Sequence, residues 1–140
     1  MKEEKSTNEE KELAGKEGFG MYVHMINNKS DEQINVIVRE NGRDDVYTIG
    51  PGKKKGSHFP LPWVSKLQDS WKCILIKSNS NSDVEMALWD DNDAKAYYNE
   101  TGKSWLPASR AKSISSGFGW GDFELIIEKD LSLNMIKFTK

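Results

Sequence analysis

The sequence predicts an all-β fold: a single-domain antiparallel β-sandwich with a flexible N-terminal tail. Three observations lead there. At least seven strand-length apolar runs recur along the 140 residues, punctuated by Gly, Pro, Asn and Asp turn signals. No stretch keeps apolar residues at helical spacing over a helical length. At the centre, Ser70 to Asp93 sets two apolar runs, Trp71 to Lys77 and Val84 to Trp89, on either side of a Ser/Asn/Asp link, and this reads as the core hairpin. A chain of this size buries roughly two-thirds of its unfolded surface without needing a disulfide or a metal.

The tail comes first. Residues 1–18 carry four Lys and six Glu without apolar periodicity, so they account for the whole formal charge of −2. Residues 19–140, the predicted sandwich domain, balance sixteen basic against sixteen acidic groups. A neutral domain has little long-range attraction for phosphates, which argues against nucleic acid as a partner. The N-terminus lacks the apolar core of a secretory signal, and no run approaches the roughly 18 apolar residues that span a bilayer. We therefore expect cytoplasmic synthesis without a signal peptide, compatible with release by lysis or a leaderless route. The single cysteine, Cys73, fits a reducing compartment.

Met21 to Ile26 is predicted to be the first strand and Ile34 to Arg39 its hairpin partner, with Asn27 to Asp31 as the turn. Ile34, Val36 and Val38 share one face by the period-two rule, the pattern of a sheet covered on one side. Val46 to Ile49 follows, then a Gly50-Pro51-Gly52 reversal and a basic loop, Lys53, Lys54 and Lys55. Such lysines suit either anionic headgroups or a protected sheet edge. Ser57 to Trp63 holds Phe59, Leu61 and Trp63 between prolines, which confine it to an edge or an extended loop. In the central hairpin, Trp71, Cys73 and Leu75 fall on one face and Ile74 and Ile76 on the other, as in a strand covered on both sides. Asp90 to Gly121 is predicted to hide one or two short irregular strands or a functional loop. Phe123 to Glu128 and Leu131 to Phe138 close the domain.

No catalytic motif emerges, and we expect no enzyme and no cofactor. His24 sits mid-strand beside Tyr22 and Ile26, where a structural role is expected, and Cys73 has no activating cation on its own face. Two His and one Cys spread from 24 to 73 give no zinc-ligand spacing. Asp90-Asp-Asn-Asp93 offers hard oxygen donors, but Ala and Lys stand where a calcium-binding EF-hand loop needs an oxygen ligand and Gly, so an Asx-rich turn competes with a calcium site of another kind. Gly117-Phe-Gly-Trp-Gly121 precedes a strand, so no helix N-terminus follows to cradle a phosphate. Trp63, Tyr97, Tyr98, Trp105 and Trp120 all fall in predicted loops or edges, where aromatics either plug a core or contact sugars and membrane interfaces.

The first strand running into Asn27-Asn-Lys-Ser30 resembles the opening strand and Asn-Asn turn of the aegerolysins, small leaderless β-sandwich proteins of fungi and bacteria. Trp89-Asp-Asp-Asn92 resembles an aromatic-Asp-Asn step after a comparable strand there. Domain size, the late glycine-rich turn and the terminal strand pair also match, over about residues 20 to 130. The charged tail and the Phe59 to Trp63 segment lie outside the likeness. The resemblance implies recognition of membrane lipids, often sphingolipid headgroups, beside a larger pore-forming partner protein. The expected function is therefore non-enzymatic membrane binding through Trp63, Tyr97, Tyr98, Trp105 and Trp120, assisted by Lys53, Lys54 and Lys55. The alternative is a lectin-like carbohydrate-binding module in which Asp90, Asp91 and Asn92 add hydroxyl acceptors.

Overall fold

A computed structural model describes residues 20–40, 43–78, 84–91 and 94–139. The predicted tail, the turn at Asn41-Gly42, the hairpin link 79–83, and Asn92 and Asp93 lie outside the described residues. The described residues form ten strands, in order: β1 (Met21–Asn28), β2 (Ile34–Glu40), β3 (Arg43–Ile49), β4 (Lys54–Pro60), β5 (Ile74–Ser78), β6 (Glu85–Asp90), β7 (Lys95–Asn99), β8 (Lys112–Phe118), β9 (Gly121–Ile127) and β10 (Leu133–Lys137). A 3-10 helix, Leu67–Lys72, precedes β5. The strands build two packed sheets, ordered β10-β9-β1-β4 and β3-β2-β5-β6-β7-β8, so the fold is the all-β sandwich expected. Pairing is antiparallel except between β1 and β9, which run parallel.

The central hairpin is present as β5 and β6, in the register Ile74↔Leu88, Leu75↔Ala87 and Ile76↔Met86. Its two-sided apolar pattern has a direct cause, because the six-stranded sheet is covered on both faces. Ile74, Ile76, Met86 and Leu88 enter the core between the sheets with Val23, Ile26, Val36 and Phe123. Cys73, Leu75, Ala87 and Trp89 face the other way, where Val64, Trp105, Leu106 and Ala111 cover them. Trp71 departs from the expected strand. It lies in the 3-10 helix and is 56% exposed, since Cys73 is where the chain turns extended.

The predicted β1–β2 hairpin does not form, because the two strands belong to different sheets. Asn27 and Asn28 continue β1 instead of turning, and residues 29–33 carry the chain across the sandwich. Asn28 holds that crossing together. Its side-chain amide donates to the carbonyls of Glu32 (2.7 Å), Ile49 (3.0 Å) and Gly50 (3.1 Å), and its Oδ1 accepts from Ser30 N–H (3.0 Å) and Ser30 Oγ–H (2.7 Å). In β2, Ile34, Val36 and Val38 share the inner face as expected, while Ile37 packs against the cluster around Trp89, so the other face is partly covered too. Lys54 and Lys55 are not loop residues. They open β4, an edge strand of the four-stranded sheet, where charge protects the unpaired edge.

Candidate functional site

The predicted aromatics separate by burial. Tyr97 and Tyr98 lie in β7 and not in a loop. Adjacent residues of a strand point to opposite faces, so Tyr98 enters the core between the sheets and Tyr97 joins Trp89 on the far face. Tyr97 exposes 8% and Tyr98 3%, which makes them core residues and removes them from any contact surface. Trp105 is half-buried in the cover over Trp89, held by its backbone N–H to Ser70 Oγ at 2.8 Å. Asn99 steadies the same cover by donating to Ser104 O at 2.9 Å and accepting from Thr101.

Trp63 and Trp120 do come together, with ring centroids 6.4 Å apart and planes inclined at 48°. The chain brings them from distant positions. Trp63 forms a parallel bridge to Asp90 at the end of β6, with Asp90 N–H donating to Pro62 O and Val64 N–H to Asp90 O, both at 2.9 Å. Trp120 sits in the β8–β9 turn between Gly119 (φ 95°) and Gly121 (φ 125°), a left-handed path that side chains disfavour. Gly119 N–H donates to Ala94 O at 2.7 Å and Gly121 N–H to Gly20 O at 2.8 Å, so the turn is anchored at both ends. Lys137 Nζ donates to Trp120 O at 2.7 Å and lies 4.4 Å from the Phe123 ring centroid.

That anchored turn presents Phe118 and Trp120, which are 58% and 43% exposed. Lys95 Nζ stands 5.9 Å over the Phe118 ring, so the end of the sandwich combines two exposed rings, the flanking Trp63 and two ammonium groups. Phe118 is not among the aromatics that the sequence singles out for contact. Its alternation with Gly117, Gly119 and Gly121 is the signal that marks it, since glycines on both sides of a bulky ring leave it on a tight turn.

The remaining predicted residues are dispersed. Asp90 is fully buried, with its Oδ1 accepting from Ala94 N–H at 3.1 Å, so it is a turn-fixing carboxylate and offers nothing to a sugar. Asp91 is half-buried, and Asn92 lies outside the described residues, as does half of the expected calcium turn. Lys53 is exposed beside the Gly50–Gly52 turn, and Lys54 Nζ approaches Glu124 Oε2 at 3.8 Å on the outer face of the four-stranded sheet. The lysines thus follow the β4 edge and form no separate basic loop. Cys73 is buried, and burial pushes its thiol up to about 12, partly opposed by a hydrogen bond with Ser70 and the charge of Arg39. It is no nucleophile at neutral pH.

A second constellation was not legible in the sequence. On the outer face of the four-stranded sheet, His24 Nε2 lies 2.9 Å from Asp122 Oδ1, and the His24 and His58 rings are 4.8 Å apart at 56°. Phe138 stacks on His24 (5.6 Å, 4°) and Tyr22 on His58 (5.9 Å, 13°). Burial, with Asp122 second, raises the Tyr22 phenol above its ordinary 10.0. β1, β4, β9 and the residue just after β10 supply this row, and His24 and Asp122 stand 98 residues apart, a separation over which no local spacing rule operates. Among the described residues no group of three or more His, Cys, Asp or Glu is arranged to hold a metal ion.

No protein-family model, curated protein or solved structure matches this chain.

Proposed function

We propose that the protein is a non-enzymatic binding module that adsorbs to membrane surfaces through the Phe118–Trp120 turn. The observation that supports this reading is the pair of exposed rings on a turn whose backbone is anchored at both ends, with Trp63, Lys95 and Lys137 beside them. Rings placed in the interfacial zone exchange water for acyl-chain contact, while the ammonium groups remain at headgroup level. With 58% and 43% of their surface open, side chains of about 150–250 Å² leave roughly 100 Å² each, worth about 2.5 kcal/mol apiece if fully withdrawn from water. No helix among the described residues is long and apolar enough to cross a membrane, and adsorption requires none.

The finer points, a sphingolipid headgroup preference and cooperation with a larger pore-forming protein, rest on the resemblance to the aegerolysins alone. The lectin-like reading shares Trp63 and Trp120, but burial removes Asp90, Tyr97 and Tyr98 from its ligand set.

Co-sedimentation with vesicles of phosphatidylcholine, alone or with phosphatidylserine or sphingomyelin, run beside a glycan array, tests the proposal. Saturable vesicle binding is expected, falling at least about tenfold in both Phe118→Ala and Trp120→Ala at unchanged melting temperature. Absence of binding to every vesicle, or full binding by the double variant, refutes it. Sugar binding without vesicle binding would establish the lectin-like reading instead.

A further inference from the structure

We propose that His24 and His58 form an open two-imidazole site for a divalent transition-metal ion of the imidazole-preferring class, with Asp122 as the carboxylate that orients His24. This reading is independent of the membrane proposal and uses a different face.

The ring separation carries the argument. A metal–nitrogen bond is about 2.0–2.1 Å, and the nitrogen lies about 1.1 Å from its ring centre, so each centroid falls about 3.2 Å from a bound ion. Two imidazoles subtending roughly 90–109° at the ion then have centroids about 4.5–5.2 Å apart. The observed distance, 4.8 Å, lies inside that interval without any strand moving.

The tautomer fits as well. An ionised carboxylate only accepts, so the 2.9 Å contact from His24 Nε2 to Asp122 Oδ1 places the ring proton on Nε2. With the proton on Nε2, Nδ1 is the nitrogen left to ligate an ion. A carboxylate hydrogen-bonded to the far nitrogen of a ligating histidine is the usual second layer of such sites, where it fixes the ring and raises its basicity. Stacking on Phe138 and Tyr22 restrains both rings, lowering the entropy lost on chelation. Asp122 acts through His24 and is no ligand, so the protein supplies two ligands and water completes the sphere, in keeping with the absence of any three-ligand group among the described residues.

The backbone explains how the pair arises. β1 carries a register shift between Val23 and Met25 against both neighbours, and His24 is the residue at that bulge. Opposite it on β4, Ser57 and His58 occupy the matching irregularity, which brings His58 beside His24. An ion held there ties the β4 edge strand to β1.

The test uses the untagged, chelator-stripped full chain with Cu²⁺ and Zn²⁺ as probes and Mg²⁺ and Ca²⁺ as controls. Titration should show one saturable site for Cu²⁺ and Zn²⁺, tighter for Cu²⁺, and none for the oxygen-preferring ions. Cu²⁺ should broaden the amide resonances around His24 and His58, and Zn²⁺ should raise the melting temperature. In His58→Gln, whose exposed side chain leaves the fold intact, affinity should fall at least about tenfold and the thermal shift should disappear. Asp122→Asn should bind about tenfold more weakly at an unchanged melting temperature without metal. Failure of Cu²⁺ and Zn²⁺ to bind, equal binding by His58→Gln, or broadening centred elsewhere would overturn the proposal.

Discussion

Replacing Asn28 by Ala tests the crossing between the sheets. Asn28 is fully buried, and its amide joins the end of β1 to the carbonyls of Ile49 and Gly50 at the end of β3, in the opposite sheet. The cost depends on which partners are left stranded. Gly50 O still accepts from Lys53 N–H, and Glu32 O still accepts from Ser30 Oγ. Ser30 N–H loses the Oδ1 acceptor it uses, inside the protein, and an orphaned buried donor costs about 1–3 kcal/mol. The bond to Ile49 O and the small cavity add roughly 1 kcal/mol each. The variant should therefore lose about 3–5 kcal/mol, read as a lower urea midpoint at constant slope. Asn28→Asp should do worse at neutral pH, because a carboxylate oxygen would replace the donor facing three carbonyls. It should recover as acid protonates that carboxyl and restores an O–H. A loss below about 1 kcal/mol in Asn28→Ala, or an Asp variant as stable as the Ala variant, would show that the crossing is held by packing alone.

Cys73 should resist thiol reagents in the native state at pH 8 and react only on unfolding. The unfolded chain ionises the thiol near 9.0 while the folded one holds its proton to about 12, so this contribution to stability is intact below pH 9 and is lost as pH rises towards 12. Denaturation midpoints from pH 8 to 11 should fall in the wild type and fall less steeply in Cys73→Ala. Trp105→Ala should uncover the Trp89 cluster, costing about 1–3 kcal/mol and speeding native-state labelling of Cys73, since both residues belong to that cluster; unchanged labelling would mean the cover stays closed without the indole. Tyr98→Ala should cost about 3–5 kcal/mol, as a large-to-small change in the core between the sheets, and a near-neutral result by urea unfolding would contradict its burial.

Period-two alternation in β2 and two-sided apolar character in β5 and β6 were readable in the sequence because they report local geometry: a strand's faces alternate wherever it sits. The same logic misplaced Asn27 and Asn28. A buried polar side chain with five hydrogen bonds and an exposed turn residue have the same identity in a sequence. Tyr97 and Tyr98 read as loop residues because aromatic pairs among Asn and Gly lack a strand's contrast, while in the structure both faces of the strand are apolar.

By itself, the sequence determined the β class, the central hairpin, the prolines on an edge, and the glycine-rich late turn. Each depends on residues close together in the chain. The tertiary structure alone decided that β1 and β2 part into different sheets, that Trp63 meets Trp120, and that His24, His58 and Asp122 share one outer face. Those contacts join residues dozens of positions apart, and they are set by which strands pair, a choice that is made only when both faces of the sheets find their cover.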